Sequence, residues 1–490
     1  MKHTFTPKSC QAPIRYHSSL VLKLIALGAD QRHDCQPLQV RLCEKTGVLT
    51  PRHRTAPFRS RLVPNGGKHM ATQSAGDSSN RIPGELDRKF GTDGYIQFNE
   101  RGSATTIAHD REAKLVFALQ LQDHFALTRY LPNGTRDEAF QEIGWNFRDG
   151  DKSWPTRVLL QEDEKILLIG ASSKNSEWNP AAVRFLANGG HDIVFGRRSL
   201  PGPVNANHGS IWNDKLVDGC LQKNQKILIC ATYFLFPDEE KPEASLSRLF
   251  CLQPNGELDT GFGAGRGFID IRFHDHASFA CNVQVQRDSK IIVAGSWRRL
   301  DETLRTRTVA RYMPTGELDL SFGNNGFADI VVEGEAAQLL PAERFKPEIV
   351  TRVLVQNDDK ILVAGYANAP DDLQSGLLVR LEANGEMDGS FNNGEPLLIS
   401  RTLNKLSHNS MTLQLDGRIV VVGTAVSAGV NLRQYERVTQ SGQLEGFFLA
   451  QSPGDCADVT VQPLGRVVIA GSSGVGSAIT PTIWGYIGSS

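Results

Sequence analysis

His274-Asp275-His276 is the segment best suited to hold a metal, because two imidazoles one residue apart on an extended segment point to the same side. No third ligand can be picked out beside them, so the plainer reading is a surface histidine pair and no metal site. The chain has no G-x-S-x-G, no H-E-x-x-H and no Walker loop, which removes the familiar nucleophile, zinc-protease and phosphate chemistries. The sialidase box S-x-D-x-G-x-x-W is also missing. The acids of a glycosidase differ from solvated carboxylates only in their separation, which a sequence does not give. No catalytic residue is assigned, and no cofactor is called for. Aromatic residues are the better markers. Of six tryptophans, Trp154, Trp178, Trp212 and Trp297 fall in long connecting segments, where an exposed ring offers a stacking surface for sugar or peptide. Arg298, Asn207 and His208 lie beside them in the same segments and complete the candidate ligand-binding set. The competing reading is that these rings pack their own loops.

The elements that would position such residues are announced by composition. Gly makes up 46 of 490 residues, above the ordinary ~7%, so many tight turns are needed and an all-β chain is expected. Eight cysteines show no C-x-x-C pair and no dense framework, which points away from zinc knuckles and disulfide scaffolds and toward a reduced compartment. Apolar runs such as Arg418-Ile-Val-Val-Val-Gly423 are far shorter than the ~20 residues that span a bilayer. The best secretory candidate, Leu20 to Leu27, carries Lys23 in its middle with no cleavage site after it, so a cytoplasmic location is expected.

Charge divides the chain unevenly. Residues 1–69 hold 12 Lys and Arg against 3 Asp and Glu, a net of +9, which leaves 41 against 51, or −10, for the remainder. The first part lacks any sustained period and reads as a basic extension, disordered or preceding a start at Met70, with residues 1–82 outside the fold and 83–490 inside it. A chain beginning at Met70 is expected to melt at the same temperature as the full chain. A midpoint lowered by several degrees would mean that the segment docks. The acidic remainder argues against a nucleic-acid partner.

From residue 84 onward the chain repeats. Asp87, Asp137, Asp192, Asp259, Asp319, Asp388 and Glu445 are each followed three residues later by Phe90, Phe140, Phe195, Phe262, Phe322, Phe391 and Phe448. A second motif alternates with the first, as in Lys165-Ile-Leu-Leu-Ile-Gly170, Lys290-Ile-Ile-Val-Ala-Gly295 and Lys360-Ile-Leu-Val-Ala-Gly365. A Gln stands four residues before its basic residue at 161, 222, 286, 356, 414 and 462, after an alternating run, which reads as strand, tight turn, strand. The repeat of about 60 residues suits a four-stranded blade. In the fifth, strand a is Val353-Leu-Val355, strand b Ile361 to Ala364, strand c Leu377 to Leu381 and strand d Leu397-Leu-Ile399. The Asp is expected to cap its own loop, and the Phe to fill the gap between blades.

The pattern Q-x-D-x-K-I-L-V-A-G followed by R-Y-x-P-N-G-E-L-D-x-x-F-G resembles the bacterial delta-60 β-propeller repeat, over roughly residues 83–488. The resemblance implies fold without chemistry. The departures at Thr135-Arg136-Asp137, His191-Asp192 and Leu444-Glu445 predict distortion there. Seven a-b-c sets and an orphan first strand, Tyr95 to Phe98, predict an all-β, seven-bladed propeller of four-stranded antiparallel blades. In it the N-terminal strand completes the C-terminal blade and removes the free edges.

In such a scaffold the a-b and c-d connections share one face and the b-c and d-a connections the other. The second set, 197–219, 231–247, 296–308, 333–350 and 400–410, is long and differs from blade to blade, as binding loops do. The expected function is a monomeric, non-enzymatic binding or scaffold protein that engages a protein or carbohydrate ligand on this face. The alternative is a propeller hydrolase or lyase with an acidic and histidine cluster at the channel mouth.

Overall fold

The computed structural model describes residues 82–149, 151–174, 177–200, 202–203, 217–235, 244–298, 305–335, 349–368, 373–400 and 405–489. The chain divides into two units, Met1–Ala75 and Gly76–Ser490, and all the described residues belong to the second. The expected basic extension, with Asn207, His208 and Trp212, lies outside the described residues. Among the described residues no helix is long and apolar enough to cross a membrane.

The described chain is built from strands. After β1 (Tyr95–Gln97), four antiparallel sheets follow in order. The first is β2–β5 (Gly102–His109, Leu115–Leu121, His124–Tyr130, Ile143–Trp145) and the second β6–β9 (Lys152–Leu160, Ile166–Lys174, Glu177–Phe185, Arg197–Ser199). The third is β10–β13 (Val217–Leu221, Ile227–Leu235, Ala244–Leu252, Phe268–Ile271) and the fourth β14–β17 (Ala277–Val285, Ile291–Arg298, Thr306–Tyr312, Phe327–Ile330). An eleven-stranded sheet takes the rest. It contains β18–β21 (Val350–Val355, Ile361–Asn368, Gln374–Leu381, Leu397–Ile399), β22–β24 (Lys405–Leu413, Ile419–Ser427, Val430–Val438), β25 (Leu444–Val461) and β26–β27 (Val467–Ser473, Thr480–Tyr486). One parallel pair, Gln374 with Lys405, joins β20 to β22, and β25 is long enough to pair with β24 by its first half and β26 by its second.

The first strand lies where the repeat count puts it. β1 pairs antiparallel with β27, Tyr95 opposite Trp484 and Ile96 opposite Ile483, and the Asp87 amide donates to the Gly485 carbonyl at 2.8 Å. The second strand of each set is apolar on both faces, as in Ile361 to Ala364, because both faces are covered. Buried apolar side chains gather between consecutive sheets. One cluster joins Phe90, Ala104, Leu115 and Phe117 to Val468, Ala470 and Ile483, and so packs the first sheet on the last strands.

The repeated Asp and basic residues meet. In Asp87, Asp137, Asp192, Asp259, Asp319 and Asp388, Oδ1 accepts the backbone N–H two residues on, which bends the loop. In four of these loops Oδ2 takes Nε of an arginine eight residues earlier on the third strand, as in Arg311 to Asp319 at 2.8 Å. Lys290 and Lys360, the basic residues of the second motif, close the same carboxylates at 3.1 and 2.9 Å. The arginine also donates to the next repeat, as Arg380 Nη1 does to the Gln440 carbonyl at 2.7 Å, and its guanidinium lies over the motif Phe. That Phe is covered by the turn glycine of the following repeat. Gly385, at φ +94, would put a Cβ 2.8 Å from the Phe322 ring, so both its conformation and its place exclude a side chain.

Glu445 is the exception. It is held by Arg418 and Arg437, but the chain runs straight on as β25 instead of turning, and Phe448 is 38% exposed rather than filling a gap. The distortion expected at Leu444-Glu445 is thus present, whereas the loops at Asp137 and Asp192 keep the common geometry.

Burial alone would raise these motif carboxyls, but the amide, arginine and lysine contacts outweigh it and hold Asp137, Asp192, Asp259, Asp319 and Asp388 below the ordinary aspartate value. A depressed folded value means that the unfolded chain takes up protons first as the pH falls. Stability is therefore expected to be level above pH ~5 and to fall steeply once the pH passes below the ordinary aspartate value of ~3.9. Urea midpoints measured from pH 7 to 3 check this, and a flat profile to pH 3 would contradict it.

Candidate functional site

Six of the seven first strands break their register at one place, and β10 does not. β-Bulges fall between Ala104 and Thr106, Pro155 and Arg157, Ala280 and Asn282, Val350 and Arg352, His408 and Ser410, and Cys456 and Asp458. A bulge re-aims the side chains beside it, and bulges gather next to functional sites. The residue that follows each bulge stands four before the recurring Gln, except for Thr106, whose repeat has Asp110 in that place. With Asp218 on β10 the column reads Thr106, Arg157, Asp218, Asn282, Arg352, Ser410 and Asp458, all polar.

These strands wall a single cavity. It measures about 410 Å³, within the size range of ligand pockets, and takes side chains from β2, β6, β10, β14, β18, β22 and β25, among them Thr105, Arg157, Asp218, Asn282, Arg352 and Asp458. Tyr366 and Val426 near the ends of second strands, and Gln374 and Asn431 near the starts of third strands, also line it, which puts it on the side of the b-c and d-a connections.

Hydrogen bonds run from each first strand to the next around the cavity. Thr105 Oγ1 donates to the Pro155 carbonyl at 2.7 Å, and Arg157 Nε to Asp218 at 2.7 Å. The Val283 N–H reaches Asp218 at 3.4 Å, and Asn282 Nδ2 the Val350 carbonyl at 3.5 Å. Thr351 Oγ1 donates to the His408 carbonyl at 2.5 Å, and Asn409 Nδ2 to the Cys456 carbonyl at 2.7 Å. The circuit returns to its start through Asp458, which accepts from Thr106 Oγ1 and the Ile107 N–H, both at 3.1 Å.

At the centre two arginines and two aspartates alternate. Arg157 is 2.7 Å from Asp218 and 3.7 Å from Asp458, while Arg352 is 3.9 Å from Asp218 and 3.8 Å from Asp458. Burial lifts the Asp218 carboxyl above its ordinary value although Arg157 pulls it down. Arg157 is pulled down by burial in turn, but Asp218 and Asp458 hold it above its ordinary value. Asp458 is saturated, since Ser410 Oγ at 2.7 Å and the Val459 N–H at 3.0 Å add to the two donors already named. Cys456 on the wall is buried, which pushes its thiol up to about 12 and leaves it unreactive.

The aromatic candidates stand apart from this quartet. Trp154 on β6 and Trp178 on β8 contact each other, ring centroids 4.2 Å apart, and Trp178 packs against the core between the second and third sheets. Trp297, near the end of β15, is only 8% exposed and donates its indole N–H to Thr308 Oγ1 at 2.9 Å, with Arg298 closing the strand beside it. The His274-Asp275-His276 segment is not extended as the H-x-H argument requires. Phe273–Asp275 form one 3-10 turn with left-handed φ of 50° and 61° at His274 and Asp275. His276 stacks on Trp297 at 4.8 Å, and His274 Nε2 meets Asp329 at 3.0 Å. Among the described residues no group of three His, Cys, Asp or Glu side chains could hold a metal ion.

The model of a β-propeller domain of unknown function (DUF5122) matches residues 286–322 and 356–391. No curated protein matches the chain. Among solved structures, virginiamycin B lyase from Staphylococcus aureus is 9% identical, with TM-score 0.43 over 80% of this chain and 98% of its own. An ulvan lyase of polysaccharide lyase family PL25 is 10% identical, with TM-score 0.44 over 80% and 96%. Drosophila semaphorin 1a, extracellular domains 1–2, is 8% identical, with TM-score 0.45 over 80% and 87%. The family match and the sheet architecture define a β-propeller fold.

Proposed function

We propose that residues 83–490 form a seven-bladed delta-60 propeller closed by its N-terminal strand, and that it works as a non-catalytic binding module with its ligand seated at the channel mouth. Support for the ring comes from the pairing of β1 with β27, from the hydrogen-bond circuit that returns from Asp458 to Thr106, and from Arg466 Nη1 donating to the Pro132 carbonyl at 2.6 Å. In this reading the eleven-stranded sheet is three blades run together. The observation that carries the functional reading is the polar column. All seven positions of the column are polar, and six of them, Arg157, Asp218, Asn282, Arg352, Ser410 and Asp458, line one cavity on the side of the variable loops.

A binding role fits better than a hydrolase or lyase because the acids are occupied. Asp458 has four donors, Asp218 has Arg157 and backbone amides, and the cavity lining contains no histidine among the described residues. Replacing the parts of the connections 197–219 and 231–247 that lie between strands, 201–216 and 236–243, with short turns is expected to abolish capture of the ligand in pull-down and glycan-array experiments. Capture that survives both replacements, or bond cleavage by the native chain, would contradict the reading.

A further inference from the structure

Arg352 is the member of the central quartet whose donors are left over. Asp458 already has four donors, and Asp218 has Arg157 together with the Val283 and Gly219 amides. The distances of 3.8 and 3.9 Å from Arg352 to these carboxylates are ion-pair contacts too long for hydrogen bonds. Its Nε is buried without an acceptor among the described residues, and its side chain is 16% exposed on the cavity wall. A buried guanidinium has no way to lose its proton, so what it lacks is an oxygen acceptor.

The charges around it narrow that acceptor. Arg157, Arg352 and Lys405 line the cavity against Asp218, Asp455 and Asp458, three charges of each sign. An anion bonded to Arg352 would sit beside two carboxylates, and a cation beside two guanidiniums, and either juxtaposition is unfavourable. A neutral oxygen meets no such opposition. The rest of the wall is also unlike a pocket for an aliphatic protein side chain, since Pro155, Val217, Tyr366, Val426, Cys456 and Ala457 are its apolar or aromatic residues and no Leu, Ile, Met or Phe is among its lining residues. Protein hot spots need an apolar pocket for an aromatic or aliphatic anchor. Hydroxyls and amides such as Ser103, Ser407, Thr424 and Asn431 both donate and accept, as sugar hydroxyls do.

Building on the binding-module reading, we infer that the channel mouth takes a neutral, polyhydroxylated ligand, the uncharged end of a glycan, and that Arg352 is its specificity-determining donor. The test titrates the full chain with three sets of probes: neutral hexose oligosaccharides, oligosaccharides bearing uronate or sulfate, and a mixed peptide pool. It compares the native protein with Arg352→Gln and with Ser407→Trp, which places a bulky ring on the cavity wall. Neutral oligosaccharides are expected to bind the native chain, to weaken roughly ten- to hundredfold in Arg352→Gln, and to be lost in Ser407→Trp. Thermal midpoints of both variants report on folding, and Ser407→Trp supplies the readout if Arg352→Gln does not fold. Neutral-sugar binding unchanged in Arg352→Gln, tighter binding of uronate or sulfated probes, or no neutral sugar bound would overturn the assignment. A peptide captured by the native chain and lost in Ser407→Trp would overturn the sugar while leaving the binding module standing. A captured ligand indifferent to Ser407→Trp would remove both.

Discussion

A chain that begins at Asn99 is expected to lose cooperative folding, or at least about 5 kcal/mol of stability, relative to one that begins at Gly76. The 23 deleted residues, 76–98, include a ring that nothing else supplies. Phe90 is fully buried among Leu115, Phe117 and Val468, and losing a buried Phe side chain alone costs about 3–5 kcal/mol. Asp87 accepts from Arg466 Nε at 2.9 Å with its carboxylate 6% exposed, so its removal leaves that arginine poorly compensated. β27 would then present an unpaired edge, which favours association between chains. A synthetic peptide of residues 83–98 should restore the folded state in trans, since the missing piece is an extended strand adding to a sheet. Equal urea midpoints for the two chains would show that the last strands need no such partner.

Glu335→Ala is expected to cost about 3–5 kcal/mol. Arg307 is 1% exposed, and both of its terminal nitrogens meet Glu335 at 2.7 Å, while Nη2 also donates to the Tyr366 carbonyl at 2.6 Å. The carboxylate in turn accepts the Asn368 N–H at 3.0 Å and so fastens the end of β19 to the connection after β17. Alanine would strand a buried guanidinium, which cannot escape by deprotonating. Removing both partners should cost less, so Arg307→Met with Glu335→Leu is expected to be more stable than Glu335→Ala. Denaturant midpoints decide the matter. A loss below about 1 kcal/mol for Glu335→Ala would mean that water reaches Arg307 in its place.

The scaffold was legible because each repeat states it locally. The Asp and Phe spacing located the capped loops, the apolar run after each Lys located the second strands, and the surplus strand at Tyr95 pointed to β27. Phe448 was misplaced because Glu445 keeps the charge of the motif without the short side chain that bends the loop. Two kinds of information lay beyond the pattern. The arginine eight residues before each Asp looked like an ordinary strand residue, and its partner is visible only once the third strand folds back over the loop. The proposed cavity is hard to read from the sequence for a related reason. Tryptophans are conspicuous in a sequence, whereas the cavity is built from single polar residues spaced far apart, as Arg157 and Asp458 are. The signal was present: aligning the repeats on their Gln lines up Arg157, Asp218, Asn282, Arg352, Ser410 and Asp458, each four residues earlier. His274 and His276 failed as an extended pair because the two left-handed residues at 274 and 275 fold the segment onto Trp297.

The most direct test of the channel mouth as the ligand site is hydrogen exchange of the full chain with and without a saturating neutral oligosaccharide. Slower exchange is expected at the bulged stretches 103–107, 154–158, 350–353, 407–410 and 455–458, because their amides flank the cavity wall. Protection confined to the turns of the opposite face, such as 161–165 and 414–418, or no protection at the bulges, would contradict it.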